Sequence, residues 1–412
     1  MDIVLPSIVC SLTAIVTSAS CIPHAVLLAY RKGLLDIPNA RKLQKHAVPV
    51  IGGLCIYLSI LVSMFVATIF LDIRPLMLPL LAITTMFFIG FFDDMMDISF
   101  RSKFIYQTLV IVLLWYNGIR IDTFCGLFGI WGMNESISLL LSIFAGVGLM
   151  NAINLIDGVD GLASGYGMGL SLLFSAFFFL HADMLWGISS LIIFCSLLPV
   201  FVCNVFSKKY KMFIGDSGSL ILGILAYIVC SHTLHEPIMY NMDRFRVSML
   251  LAFYAIPVFD TLRVMTGRMF CGKSPFLPDK THLHHALLSL RYPHLLVTAI
   301  EILIDSVIFG FWVITVLLCL WLDIAPEWQF LAMMLIGPGI VVLIYINIQK
   351  MHFYRSNRAV RHIAFARKWG RRIKKPALFI RALIDGRLHS WKGTVHSLNY
   401  LNEINGRSKK VK

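Results

Sequence analysis

The chain has 412 residues, 58% of them hydrophobic and 14% charged, with a formal net charge of +14 and a mean hydropathy of +0.79. No soluble globular domain has that balance. The charge does not mark a nucleic-acid surface, because residues 350–412 hold 17 Lys and Arg against 2 acidic side chains and the rest of the chain sums to −1.

Runs of roughly 20 apolar residues repeat along the chain and predict an all-α, polytopic integral membrane protein. About eleven transmembrane helices are expected, near 3–29, 48–71, 75–92, 103–121, 136–155, 162–181, 185–206, 213–231, 246–265, 298–322 and 327–349. The cationic residues give the orientation. Of the 36 Lys and Arg, 32 fall on one side of this topology, and Arg74, Arg120, Arg244 and Arg246 fall on the other. Cytoplasmic loops carry the excess of Lys and Arg. An odd number of spans then places the N-terminus outside and the C-terminus in the cytoplasm. Asp2 precedes the first apolar run with no basic stretch ahead of it, which argues against a cleaved signal peptide.

Two parts are expected, a polytopic domain over 1–350 and a basic cytoplasmic tail over 351–412. From Phe353 to Lys375 the tail interleaves Phe353, Val360, Ile363, Phe365, Trp369 and Ile373 with cations. Such a stretch suits an anionic lipid surface, or serves as a solvated topology signal. Pro376 interrupts any helix there. The nine Cys are scattered without a CxxC pair and read as apolar filler.

Four polar clusters break the apolar pattern, all on the basic side. At the end of the third span stand Asp93, Asp94 and Asp97. On a continuing helix Asp93 and Asp97 share a face. Adjacent like charges repel and call for a cation. Residues 151–165 close the fifth span and open the sixth with Asn151, Asn154, Asp157 and Asp160 among Gly158, Gly161 and Gly165. Carboxylates in or beside a bilayer are expensive. Two of them three residues apart, beside glycines that admit a ligand to the backbone, suggest a metal and a phosphate. Small-xxx-small packing accounts for the glycines but not for Asn154, Asp157 and Asp160.

The eighth span opens with Gly215, Asp216, Ser217, Gly218 and Ser219, just after Lys208, Lys209 and Lys211. Asp216 could cap that helix. A helix N-terminus also offers free N–H groups to an anion, with Asp216 placed to hold the metal that accompanies a diphosphate. The loop after the ninth span carries Asp260, Arg263, Arg268, Lys273, His282, His284 and His285. Three His beside Arg and Lys predict a cationic, hydrogen-bonding patch for phosphate oxygens. No GxxxxGK[ST] loop is present, so ATP hydrolysis is not the energy source. His24, His181, His232 and His235 read as structural. Glu301 and Asp305, one turn apart in the tenth span, take no assigned role.

In order, these clusters resemble the polyprenyl-phosphate N-acetylhexosamine-1-phosphate transferases, the glycosyltransferase family 4 enzymes, and most of all the bacterial branch that uses undecaprenyl phosphate. The resemblance rests on Gly33, Leu34, Leu35 and Asp36 with Pro49, Gly52 and Gly53; the Asp93–Asp94 pair; residues 151–165; residues 215–219; and Ser274, Pro275, Phe276, Pro278 and Asp279 before the His residues. It covers residues 33 to about 290 and misses nothing at the core acidic positions. The muramyl-pentapeptide branch usually has three consecutive His in its last loop. Here Leu283 interrupts them, as in the N-acetylhexosamine branch.

The resemblance implies transfer of GlcNAc-1-phosphate from UDP-GlcNAc to undecaprenyl phosphate, releasing UMP, with Mg²⁺ or Mn²⁺, at the bacterial cytoplasmic (inner) membrane. It implies Asp93, Asp94, Asp157 and Asp160 as catalytic residues, with Asp216, Asp93 and Asp94 on the metal. Asn151, Asn154, Lys103, Arg263, Arg268, His282, His284 and His285 are the expected substrate contacts. Membrane lipid is an expected partner, nucleic acid is not, and a homodimer is the one protein assembly considered. Another UDP-N-acetyl sugar is the alternative donor. A transporter or flippase would place its acids near the midplane on broken helices, whereas these cluster at one face.

Overall fold

The computed structural model describes residues 3–36, 47–275 and 281–370. The segments 37–46 and 276–280, and the part of the tail beyond 370, lie outside it, and with them fall Arg41, Lys42, Lys45, Phe276, Pro278, Asp279, Lys280 and Pro376. The chain divides into two units, Met1–Ile348 and Gln349–Lys412.

The first unit is a bundle of helices, the last of which continues past its boundary at Ile348. In order they are α1 (Val4–Lys32), α2 (Gly52–Ala67), α3 (Met77–Met96), α4 (Phe100–Tyr116), α5 (Glu135–Ile156), α6 (Leu162–Leu180), α7 (Met184–Phe206), α8 (Gly215–His235), α9 (Arg246–Phe253), α10 (Ala255–Phe270), α11 (Leu283–Ser289), α12 (His294–Trp321) and α13 (Pro326–Gly370). The strands β1 (Leu35–Asp36) and β2 (Val48–Pro49) form one antiparallel pair.

Each of the eleven expected spans falls on a helix or a helix pair. Among the described residues eight helices are long and apolar enough to cross a membrane, and a bent pair makes up to nine. The chain is a multi-pass membrane protein. Its outer faces carry large apolar side chains such as Phe65, Phe144, Trp321 and Leu335, all strongly exposed. The second and fourth expected spans are α2 and α4, of 16 and 17 residues, shorter than the ~20 residues of a straight crossing.

The ninth expected span is broken. α9 and α10 meet at 61° around Tyr254, whose φ of −110° and ψ of 23° leave the helical region. Pro257 lies in the first turn of α10, where its missing N–H does no harm. The Ile256 N–H, orphaned by the break, donates to Asp305 Oδ1 of α12 at 3.1 Å. That bond gives Asp305 its role: it closes the kink.

α8 is the axis of the bundle. It is buried on almost every side and packs against α2, α3 and α5. Its approach to α3 needs Gly90, because a Cβ there would meet the Ser217 N and Cα at 2.5 Å. β2 delivers the chain to the same place: the Phe213 N–H donates to Pro49 O, and the Gly52 and Gly53 N–H groups donate to Phe213 O and Ile214 O. The starts of α2, α4, α6 and α8 and the ends of α3, α5 and α7 therefore lie at one end of the bundle.

Candidate active site

The polar clusters of the sequence assemble around the first turn of α8. Gly215 starts that turn at φ +75°, where a Cβ would strike the Asp94 carboxylate at 2.7 Å. Asp94, near the end of α3, accepts the Asp216 N–H at 2.8 Å on Oδ1 and the Ser217 N–H at 3.0 Å on Oδ2. Asp94 thus caps α8 from a neighbouring helix. The N–H groups expected to face an anionic substrate are instead taken by this side chain. The Gly215 N–H serves another, Asp157. The physical reason is the close α3–α8 approach, which brings a carboxylate to the positive end of the dipole.

Asp93, on the other side of α3, is buried, and its Oδ2 lies 2.7 Å from Lys103 Nζ of α4. Its Oδ1 accepts the Ile98 N–H at 2.8 Å, which shapes the turn into α4. Lys103 also lies 3.0 Å from Asp216 Oδ2. One buried ammonium therefore bridges two carboxylates. Asn154 of α5 completes the frame by donating to Asp216 Oδ1 and to Ser219 Oγ. Asp97 does not join. It is the C-cap of α3 in the left-handed region at φ 50°, so the shared helical face with Asp93 never forms.

Asp157 and Asp160 flank the turn between α5 and α6. Burial, then the charges of Asp216, Asp94 and Asp160, hold the Asp157 carboxyl well above the usual carboxylate range, against the Gly215 N–H. Asp160 has the opposite environment. Burial works against its charge, but hydrogen bonds from His294 and Lys211 outweigh this and hold its carboxyl below the usual range. Lys211 Nζ sits 2.5 Å from its Oδ2. Thr298 of α12 donates to Asp160 O at 2.9 Å, and Asn204 of α7 accepts the Gly161 N–H. Lys211, His294, Thr298 and Asn204 thus clamp the turn.

The histidine loop closes over this turn. A Cβ at Gly158 would stand 3.3 Å from His284 Nε2. Asp260 of α10 organises the loop: its Oδ1 takes Arg263 Nη2 at 2.7 Å, and its Oδ2 takes His282 Nδ1 at 3.0 Å and the Leu283 N–H at 3.1 Å. Arg263 also donates to Thr281 O and lies over the Tyr345 ring at 3.8 Å. Among the described residues the buried Nε2 atoms of His282 and His284 have no hydrogen-bond partner. The patch is less cationic than expected. Burial, then His285 and His282, push the His284 imidazole down to about 3, so its ring is neutral at physiological pH.

Other expected contacts are placed differently. Asn151 lies within α5, bonded to Gln107 of α4 at 3.0 Å and to Val147 O at 2.8 Å. Arg268 donates to Pro275 O of its own loop. His285 lies beside His284, with ring centroids 4.3 Å apart and planes tilted by 48°. The sequence does not expose Asp260 as the loop's organiser, nor Lys211 and His294 as partners of Asp160. Lys211 reads there only as a topology cation. His294, near the start of an apolar span, is its one overlooked signal.

Of the five carboxylates, Asp93 and Asp216 share Lys103 and Asp160 holds Lys211, while Asp94 and Asp157 face backbone N–H groups. The donors are hard oxygens converging where a buried cation already sits, a set that fits Mg²⁺ or Mn²⁺. The neighbouring Arg and imidazole groups fit phosphate oxygens.

Residues 76–233 match the model of glycosyl transferase family 4, and all five carboxylates lie within that stretch. The chain is 28% identical over 327 residues to the undecaprenyl-phosphate alpha-N-acetylglucosaminyl 1-phosphate transferase of Escherichia coli (strain K12), covering 75% of this chain and 83% of the relative. It is 26% identical over 357 residues to the protein of the same name from Yersinia pestis, covering 84% and 91%. Both the matched stretch and these long alignments agree with the order of the clusters, and residues 76–233 are similar to glycosyl transferase family 4.

Proposed function

We propose that the protein transfers N-acetylglucosamine-1-phosphate from UDP-GlcNAc to undecaprenyl phosphate. An oxygen of the lipid phosphate forms a new bond to the phosphorus that carries the sugar. The bond from that phosphorus to the UMP phosphate breaks, and UMP leaves. One phosphoanhydride replaces another, so no separate energy source is needed. The observation that carries this reading is the surplus of carboxylates around Lys103 beside an Arg and His loop, a site for a metal–diphosphate.

Asp93 and Asp216 would hold the divalent cation, which when bound offsets the charge of the diphosphate. Asp94 fixes the α8 terminus that carries Asp216. Lys103 keeps the two carboxylates together and holds positive charge beside the phosphates. Asp157 and Asp160 orient the nucleotide end, and Asn154 holds the Asp216 rotamer. Asp260 accepts the hydrogen bond of His282 Nδ1–H and so holds the ring with Nε2 toward the phosphates. His282, His284, His285, Arg263 and Arg268 line the path of the leaving UMP. No strong base is required, since a phosphomonoester loses its second proton near pH ~6. Positioning and charge neutralisation carry the rate.

The excess of basic residues on the acidic-cluster side supports a cytoplasmic site in a bacterial inner membrane, with residues 351–412 as a basic tail. The test is UMP release by purified full-length chain in detergent with Mg²⁺. We expect release from UDP-GlcNAc only with undecaprenyl phosphate, and faster than from UDP-GalNAc. Release without lipid phosphate, or none with it, would overturn the proposal.

A further inference from the structure

At the far end of α8, away from the acidic cluster, three side chains from separate backbone positions meet. His232 is in the last turn of α8. Its Nε2 lies 2.9 Å from Asp183 Oδ2 and 2.9 Å from Glu236 Oε1. Each group is anchored independently. Asp183 is the N-cap of α7, and its Oδ1 accepts the Trp186 N–H at 3.0 Å, which leaves Oδ2 facing the ring. The Trp186 indole stacks on the imidazole at 4.0 Å with planes 17° apart. Glu236 is the C-cap of α8, and buried Arg246 grips its carbonyl and that of Pro237. At 1.5 Å per residue, His232 stands roughly 24 Å along α8 from Asp216.

Charge counting separates this group from its neighbours. His181 pairs with Asp243, and Arg246 Nη2 lies 3.2 Å from the same carboxylate. His235 pairs with Asp122, and Arg120 Nε lies 2.7 Å from it. Each of those His–Asp pairs has its own arginine. Asp183 and Glu236 share a single imidazole nitrogen. A neutral ring has at most one N–H at Nε2, which serves one carboxylate and leaves the other facing a like charge. With a neutral ring the two carboxylates leave two negative charges without an arginine to balance them.

We propose that Asp183, His232 and Glu236 form a binding site for a first-row divalent cation, Zn²⁺ or Mn²⁺, separate from the acidic cluster. Ligands at 2.0–2.1 Å around a tetrahedral ion sit about 3.4 Å apart. Each carboxylate oxygen, now 2.9 Å from Nε2, needs to move only about half an ångström away from it to reach that spacing. An imidazole with two carboxylates suits Zn²⁺ or Mn²⁺ better than Ca²⁺ or Mg²⁺. Three protein ligands leave a position for water. The ion would tie the start of α7 to the end of α8 and stabilise that end of the bundle by mass action.

The test is titration of chelator-stripped, full-length protein in detergent with ZnCl2 and, separately, MnCl2, without substrates, by calorimetry and by thermal unfolding. We expect one equivalent that survives Asp216→Asn, weakens at least about tenfold in both His232→Gln and Glu236→Gln, and raises the unfolding midpoint of the wild type and of Asp216→Asn but not of the His232 and Glu236 variants. Glu236→Gln keeps the shape and a hydrogen bond at the helix end, so it reports even where His232→Gln folds poorly. Unchanged binding by Glu236→Gln, or no equivalent beyond one that Asp216→Asn removes, would overturn the site and leave a proton as the shared charge.

Discussion

At its first turn α8 brings Asp216 to Asp93, Asp94 and Asp157; at its last turn it brings His232 and His235 to Asp183, Glu236 and Asp122. Both ends bury charge, and they balance it differently. At the far end Asp243 and Asp122 each hold a histidine and an arginine. At the near end one lysine serves Asp93 and Asp216, while Asp94 is satisfied by backbone N–H groups. Local pairing marks a scaffold. A surplus of one sign, held in place by hydrogen bonds, marks a place where a ligand of the other sign belongs. The His232 group is the exception at the scaffold end.

Four substitutions can break or sharpen that contrast. The largest effect belongs to Asp93→Asn, which keeps the shape and removes the charge. We expect turnover to fall at least ~100-fold, the scale of a lost electrostatic stabiliser, with partial rescue by raised Mg²⁺ if Asp93 is a metal ligand. UMP release against Mg²⁺ concentration reads both. Next is Asp260→Asn, which loosens His282, Arg263 and the Leu283 N–H together. A loss of about 10- to 100-fold in kcat/KM is expected, as for one charged hydrogen bond at ~1.5–3 kcal/mol. Steady-state kinetics with both substrates would measure it, and a purely structural Asp260 would instead show in the melting temperature with kcat/KM intact.

A smaller effect comes from Asp160→Asn. The folded carboxyl lies below its unfolded value, so its stabilisation is present above the usual carboxylate range and is lost as pH falls through the folded value. With Lys211 about a third exposed, the cost is about 1 kcal/mol at pH 7. Melting curves of variant and wild type should converge below pH ~3.9. The smallest effect belongs to the scaffold end. His235→Gln should leave turnover within about twofold and stability within about 0.5 kcal/mol, as for an exposed position. A large loss in UMP release there would erase the contrast between the two ends.

Much of the near end was legible because charged residues are conspicuous in an apolar chain. Asp93, Asp94, Asn154, Asp157, Asp160 and Asp216 stand out against spans that contain almost nothing polar, and they do meet around α8. Their division of labour was not legible. Which of two adjacent aspartates faces Lys103 and which caps α8 depends on the rotation of α3, and that is set by Gly90 against Ser217. Asp97 looked equivalent to Asp93 until the helix ended one residue earlier. The break at Tyr254 hid within an apolar run, because its compensating partner, Asp305, comes from a helix 49 residues further on. Asp260 was visible as a residue but not as the support of His282, since the two are 22 positions apart in sequence.

The central claim is that the unbalanced end of α8 is the catalytic end, with Asp216 holding the cation of a metal–diphosphate. Lipid-phosphate-dependent UMP release by Asp216→Asn, followed over a range of Mg²⁺ concentrations, tests it most directly. The account predicts at least a ~100-fold loss of turnover, as for removal of a key electrostatic stabiliser, in a protein that still folds and inserts. Near-normal turnover of this variant at sub-millimolar Mg²⁺ would contradict it.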